Sequence, residues 1–210
     1  MDPKRVYELT TTNKSRTKAV VQDCISLQPV YLLDLSFCTS DGSRTSSRHS
    51  ITMYDARPNS SRRMSPVGVC DISLVSITTP IHLGFGDPNT AMDDMIWEDI
   101  RCREKWATNG FELNIDLGGE VGRKTFYWKR THDVDGANAA VRKLDWLHLK
   151  MVESESNAVI ARFIHNPLLG SKRGNFELEE FNGGRDWELV VLLSGNAVLE
   201  YLRKASGWSW

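Results

Sequence analysis

From Pro29 to Phe181 apolar and polar side chains alternate in short runs, the period of a strand with one dry and one wet face. The runs are VYLLDLSF (30–37), HSITMYD (49–55), VGVCDISLVSIT (67–78), IHLGF (81–85), MIWEDIRCR (95–103), FELNIDL (111–117), KTFYWKRT (124–131), LDWLHLKMV (144–152), AVIARFIH (158–165) and NFELEEF (175–181). Gly, Pro, Asn and Asp punctuate them, as in GDPN at 86–89, LGGEVG at 117–122 and VDGAN at 134–138. Strand signals at this spacing predict an antiparallel meander or a closed barrel. Residues 1–28 alternate weakly and read as a loosely held arm, so the barrel is expected over 29–210. The polar stretch ARPNSSRRMSP at 56–66 is expected to be the most mobile internal segment and a lid candidate.

One segment departs from the strand period. In DWELVVLLSGNAVLEYLRK at 186–204, Asp186 suits an N-cap and the pattern predicts a helix over 187–204. Trp187, Leu189, Val190, Val191, Leu192 and Leu193 point in every direction around its first turns. A surface helix shows one apolar stripe, whereas this one is apolar all round until Ser194, Gly195 and Asn196, and is therefore expected to be surrounded by protein. In a β-rich chain the structure that can enclose a helix is a closed barrel. The expected fold is mainly β: a closed antiparallel barrel of about ten to twelve strands around a hydrophobic C-terminal helix.

Composition narrows the function classes. With 40% hydrophobic and 25% charged residues the chain has ordinary globular values, which excludes wholesale disorder. The net charge of −1 is unevenly spread: residues 1–70 hold ten cations against six acids, 71–120 three against ten, and 121–150 seven against three. Local basic patches follow, but not a surface that coats nucleic acid, so no nucleic-acid partner is expected. The first twenty residues have no apolar core of the kind a secretory signal needs. The C-terminal apolar run is interrupted at Ser194–Asn196 and by Glu200, well short of a spanning helix. A soluble, cytoplasmic protein is expected. Cys24, Cys38, Cys70 and Cys102 are widely spaced without a CxxC pair, so reduced thiols are expected rather than a zinc or redox site.

Four stretches then carry a resemblance: FYWKRTHD at 126–133, LHLKMVESESNAVIARF at 147–163, KRGNFELEEF at 172–181 and the helix WELVVLLSGNAVLEYLRK. On these the chain resembles the tubby C-terminal-like superfamily, in particular its small fungal members. The resemblance implies a barrel wrapped around its last helix. It also implies recognition of phosphoinositide headgroups by Lys and Arg on neighbouring strands, as in better-known tubby-like domains, and phospholipid scramblases are relatives in the same superfamily. An amphipathic small molecule or an anionic lipid headgroup, with peripheral membrane contact, is the partner so implied.

Within KTFYWKRT the alternation puts Lys124, Phe126, Trp128 and Arg130 on one face and Thr125, Tyr127, Lys129 and Thr131 on the other. Each face mixes aromatic and cation, which a strand packed wholly on a core does not show. Lys129, Arg130, Arg142, Lys143 and Lys150, flanked by Trp128 and Trp146, are the candidate headgroup site, since cations converging from adjacent strands suit a multiply charged phosphate. Lys172 and Arg173 form a second basic cluster on a hairpin tip.

For proton transfer the candidates are His132 beside Asp133, His148 between Leu147 and Leu149, and Glu98, which falls on the Ile96, Ile100 and Cys102 face of its strand. No GxSxG, Walker loop, HExxH or dinucleotide fingerprint occurs, and no cofactor or metal is expected. Two functions follow. The first is a binding module for the amphipathic or anionic ligand. The alternative is a cofactor-independent isomerase, cyclase or lyase of a fungal specialised-metabolite pathway, with an aromatic-lined pocket and His148, His132 or Glu98 inside it.

Overall fold

The computed structural model describes residues 4–13, 15–36, 49–61, 64–73, 79–89, 94–103, 110–119, 121–132, 147–166, 171–182 and 186–205. Among them twelve strands and one helix form, in chain order β1 (Arg5–Thr11), β2 (Lys18–Asp23), β3 (Pro29–Asp34), β4 (Ile51–Asp55), β5 (Pro66–Asp71), β6 (Ile81–Phe85), β7 (Ile96–Cys102), β8 (Phe111–Asp116), β9 (Arg123–Arg130), β10 (Leu149–Glu153), β11 (Val159–His165), β12 (Lys172–Leu178) and α1 (Trp187–Ala205). Each strand pairs antiparallel with its neighbours in sequence, and β1 pairs with β12 to close the barrel. Among the described strands closure leaves none at the end of the sheet, each having a neighbour on both sides.

The alternation in the sequence is the alternation of the wall. Tyr7, Leu9 and Thr11 of β1, Phe111, Leu113 and Ile115 of β8, and Phe176 and Leu178 of β12 are buried, with less buried residues between them. A barrel of about eight strands is just wide enough for its own side chains to fill. Twelve strands leave a lumen that side chains alone do not fill, and α1 occupies it.

Every residue from Leu189 to Leu202 is buried, so no face of the helix meets water over that span. Its neighbours come from all round the wall: Leu193 lies against Gly68 of β5, Tyr201 meets Phe111 of β8, Trp187 meets Phe126 of β9, and Gly195 lies against Phe176 of β12. Asp186 takes the cap position, its carbonyl accepting the Val190 N–H at 3.0 Å. Among the described residues no helix is long and apolar enough to cross a membrane.

Two sequence expectations change. The N-terminal segment is not an arm, because β1 and β2 are wall strands and β1 is the closing one. Its pattern was obscured by Thr, Glu and Gln on the wet face and by a pairing partner, β12, at the far end of the chain. The 56–66 loop, as far as it is described, is pinned rather than loose. The Ala56 N–H donates to the Val30 carbonyl, Ser60 Oγ donates to Asp55, and the Arg57 guanidinium both donates to Glu188 of α1 and sits 4.8 Å over the Tyr31 ring. Arg62 and Arg63 lie outside the described residues.

Candidate functional site

The basic candidates separate into two groups once β9 is placed in the wall. Phe126 and Trp128 point inward and are fully buried, and Trp128 Nε1 donates to Ser194 Oγ of α1 at 2.9 Å. Trp128 therefore supports the helix and is out of reach of a surface ligand. Arg130 follows it in the inward phase, where burial pushes its guanidinium below the ordinary arginine value. Lys124, at the other end of the strand, pairs with Glu153 at 2.9 Å and Glu155 at 3.1 Å. The strand outlasts the dry interior at both ends, which is why one face combined aromatics with cations.

Lys129 lies on the outer wall, its Nζ 5.0 Å over the Tyr127 ring. The register sets Lys129 directly opposite Lys150 of β10, and Lys150 directly opposite Arg162 of β11. Arg162 donates to Glu179 at 2.6 Å, whereas neither lysine forms an ion pair among the described residues. Like charges directly opposite one another on neighbouring strands repel. The sequence grouping thus keeps Lys129 and Lys150, gains Arg162 and loses Arg130 to the inner face. Arg142, Lys143 and Trp146 lie outside the described residues.

The proton-transfer candidates do not converge. His148 is 1% exposed, its Nδ1 accepts the His165 N–H at 3.1 Å and its carbonyl accepts the Thr131 N–H at 3.0 Å. The ring thus joins the start of β10 to β11, and the backbone carbonyl joins it to the residue that follows β9. His132 is exposed just past β9, and Asp133 lies outside the described residues. Glu98 is nearly buried and meets Arg123 at 3.0 and 3.2 Å while accepting the Asp116 N–H at 3.3 Å. It sits beside the Arg123 end of β9, and His148 beside the Arg130 end.

Glu98 marks the concave site of the outer wall. A pocket of about 390 Å³ opens there, lined by Trp97, Glu98, Asp99, Arg101, Glu112, Asn114 and Arg123 from β7, β8 and β9. β7 and β8 pair from Ile100 opposite Leu113 to Cys102 opposite Phe111, and below that point the Glu98 carboxylate accepts the Asp116 N–H. Arg123 Nη1 also donates to Asn114 Oδ1 at 2.9 Å. Asp99 faces His82 Nδ1 at 2.8 Å and Arg101 at 3.6 Å. Glu112 accepts from Arg103 Nε and Nη2 at 2.8 and 2.9 Å, and these bonds hold its carboxyl below the usual carboxylate range.

Arg123 and Asn114 were not singled out by the sequence. A signal was present in IWEDIRCR, where Trp97, Asp99 and Arg101 share the outward phase. Among the described residues no cluster of His, Cys, Asp or Glu has the makings of a metal site.

No family model and no curated protein matches the sequence. Among solved structures the chain is similar to a protein from Arabidopsis thaliana determined by X-ray crystallography, at 9% sequence identity and a TM-score of 0.50, over 95% of this chain and 91% of that one. A likeness at this identity extends to the fold alone.

Proposed function

We propose that this barrel is a non-catalytic binding protein of tubby-like type, which holds an anionic lipid headgroup on its outer wall through Lys129, Lys150 and Arg162. The observation that carries the proposal is the Lys129–Lys150 juxtaposition, two like charges directly opposite one another with no carboxylate pairing either of them among the described residues. A phosphate between them replaces repulsion by charge-assisted hydrogen bonds. Arg162, already tethered to Glu179, extends the row by one strand with a planar donor. An enzyme is less well supported. α1 fills the lumen, and His148 and Glu98 sit at opposite ends of β9, each engaged in holding strands together.

Co-sedimentation with vesicles tests the proposal. Vesicles containing phosphoinositides should recover more protein than neutral ones, and recovery should fall as salt rises. Each lysine near an anionic surface contributes about 1 kcal/mol, so Lys129→Ala with Lys150→Ala should weaken partitioning roughly 30-fold. Equal recovery of the parent and the double variant would remove the site.

A further inference from the structure

We propose that the pocket between β7 and β9 is a second binding site, selective for a neutral saccharide. Its first component is Trp97, an indole left 39% exposed on a rigid strand. It stands on the outer face opposite Gly84 of β6, where a Cβ would come within 3.0 Å of its Cη2 and 2.6 Å of Met95 Cε. The missing side chain lets the ring settle onto β6, with His49 tilted beside it at 6.3 Å between centroids. An indole fixed in this way is a platform for the C–H face of a ring that is apolar on one side and polar at its rim.

The second component is the arrangement of planar polar groups around that platform. Glu98, Asp99 and Glu112 are the lining carboxylates, and each is held by a cation or an imidazole: Arg123, His82 with Arg101, and Arg103 respectively. Asn114 is held between Arg123 and Thr125. Carboxylate oxygens keep further lone pairs after one such bond, so the pocket presents acceptors in fixed positions beside guanidinium and amide donors. Hydroxyl groups, which donate and accept at once, match this mixture.

The charge balance selects the ligand class. Of the lining residues three carboxylates face two arginines, and Arg103, outside the lining, pairs with Glu112, so no cation is left over for a phosphate and every carboxylate already has a partner in place of a metal cation. A volume of about 390 Å³ lies in the range of small-molecule sites and admits a mono- or disaccharide. Lys129 and Lys150 do not line the pocket, so this site is separate from the cationic row and does not depend on it.

The test is a ¹H–¹⁵N correlation titration of the whole chain with glucose, galactose, mannose, N-acetylglucosamine, maltose and cellobiose, and with inorganic phosphate as the charged comparison. At least one sugar should move the Trp97 indole and Asn114 side-chain signals saturably in the millimolar range, with phosphate leaving them in place. Trp97→Leu and Asn114→Ala, followed on the backbone amides of β7 and β8, should each weaken binding about tenfold without lowering the melting temperature much, because both side chains reach solvent. The Lys129→Ala, Lys150→Ala variant should bind the sugar as the parent does. Silence of the pocket signals to every sugar overturns the proposal, as do phosphate shifts equal to the sugar shifts and unweakened binding by Trp97→Leu.

Discussion

Ser194, Gly195 and Asn196 look in the sequence like an interruption of the helix, yet all three are buried among the wall's largest side chains. Ser194 Oγ accepts the Trp128 indole N–H, which would otherwise be an orphan donor inside the barrel. Asn196 Nδ2 turns back to the Leu192 carbonyl at 2.8 Å. At Gly195 the absence of a side chain is a packing requirement, because a Cβ would sit 2.5 Å from Phe176 Cε1 and 3.1 Å from Trp128 Cζ2. Phe176 is itself wedged against Phe163, 4.8 Å between ring centroids, and has little room to yield. Gly195→Ala gains about 1 kcal/mol of helix propensity and loses about 1–3 kcal/mol to overpacking. A net destabilisation of about 1 kcal/mol is expected in urea unfolding, and a stabilised variant would show that the wall relaxes freely around the helix.

At the scale of elements, the helix and the strands depend on each other. Outside the barrel α1 would expose Leu and Val on every side, and without α1 the strands would line an empty lumen. The helix core should therefore open only when the barrel opens. Amides of Val190 to Leu199 should be among the slowest to exchange with solvent, with protection close to the global unfolding free energy. Fast exchange there would contradict an enclosed helix. The wall is less uniform than its strand count suggests. Between β7 and β8 a glutamate side chain takes an N–H of the neighbouring strand, and the pocket opens over that seam.

At the scale of the whole molecule, both ends of α1 are fastened to the wall by a carboxylate. Glu188, in the first turn, binds Arg57 and accepts from the Tyr7 hydroxyl, which ties the helix to β1 and to the chain that follows β4. Burial, reinforced by the Glu188 charge, pushes the Tyr7 phenol well above the ordinary value. Near the other end Glu200 pairs with Arg173 of β12 and with Arg203 one turn on.

Burial pushes the Glu200 carboxyl up, but the two arginines outweigh it and leave the group below the usual range. An unfolded glutamate titrates near about 4.3, so on acidification the unfolded chain takes up this proton first. The stabilisation is complete above about pH 5 and is lost as pH falls through the folded value. Melting temperature should decline below about pH 5, and Glu200→Gln should flatten that decline while costing about 3 kcal/mol at pH 7, where it leaves two arginines without their anion. An acid limb unchanged by the substitution would assign the acid sensitivity to other carboxylates.

The strand positions and the enclosure of the helix were legible in the sequence because each is a local consequence of burial. A strand with one dry face must alternate, as IHLGF at 81–85 and FELNID at 111–116 do, and a helix with no wet face cannot show a stripe. β1 and β2 were missed where the local signal was weak and the deciding contact was remote: Tyr7 lies opposite Phe176. Lys129 and Arg130 were grouped as sequence neighbours although their alternation already set them on opposite faces. The partners of Lys129 and the pocket of Trp97, Asn114 and Arg123 were decided by tertiary structure alone. Cross-strand register is a property of paired strands, and closure of the barrel sets which outward side chains meet.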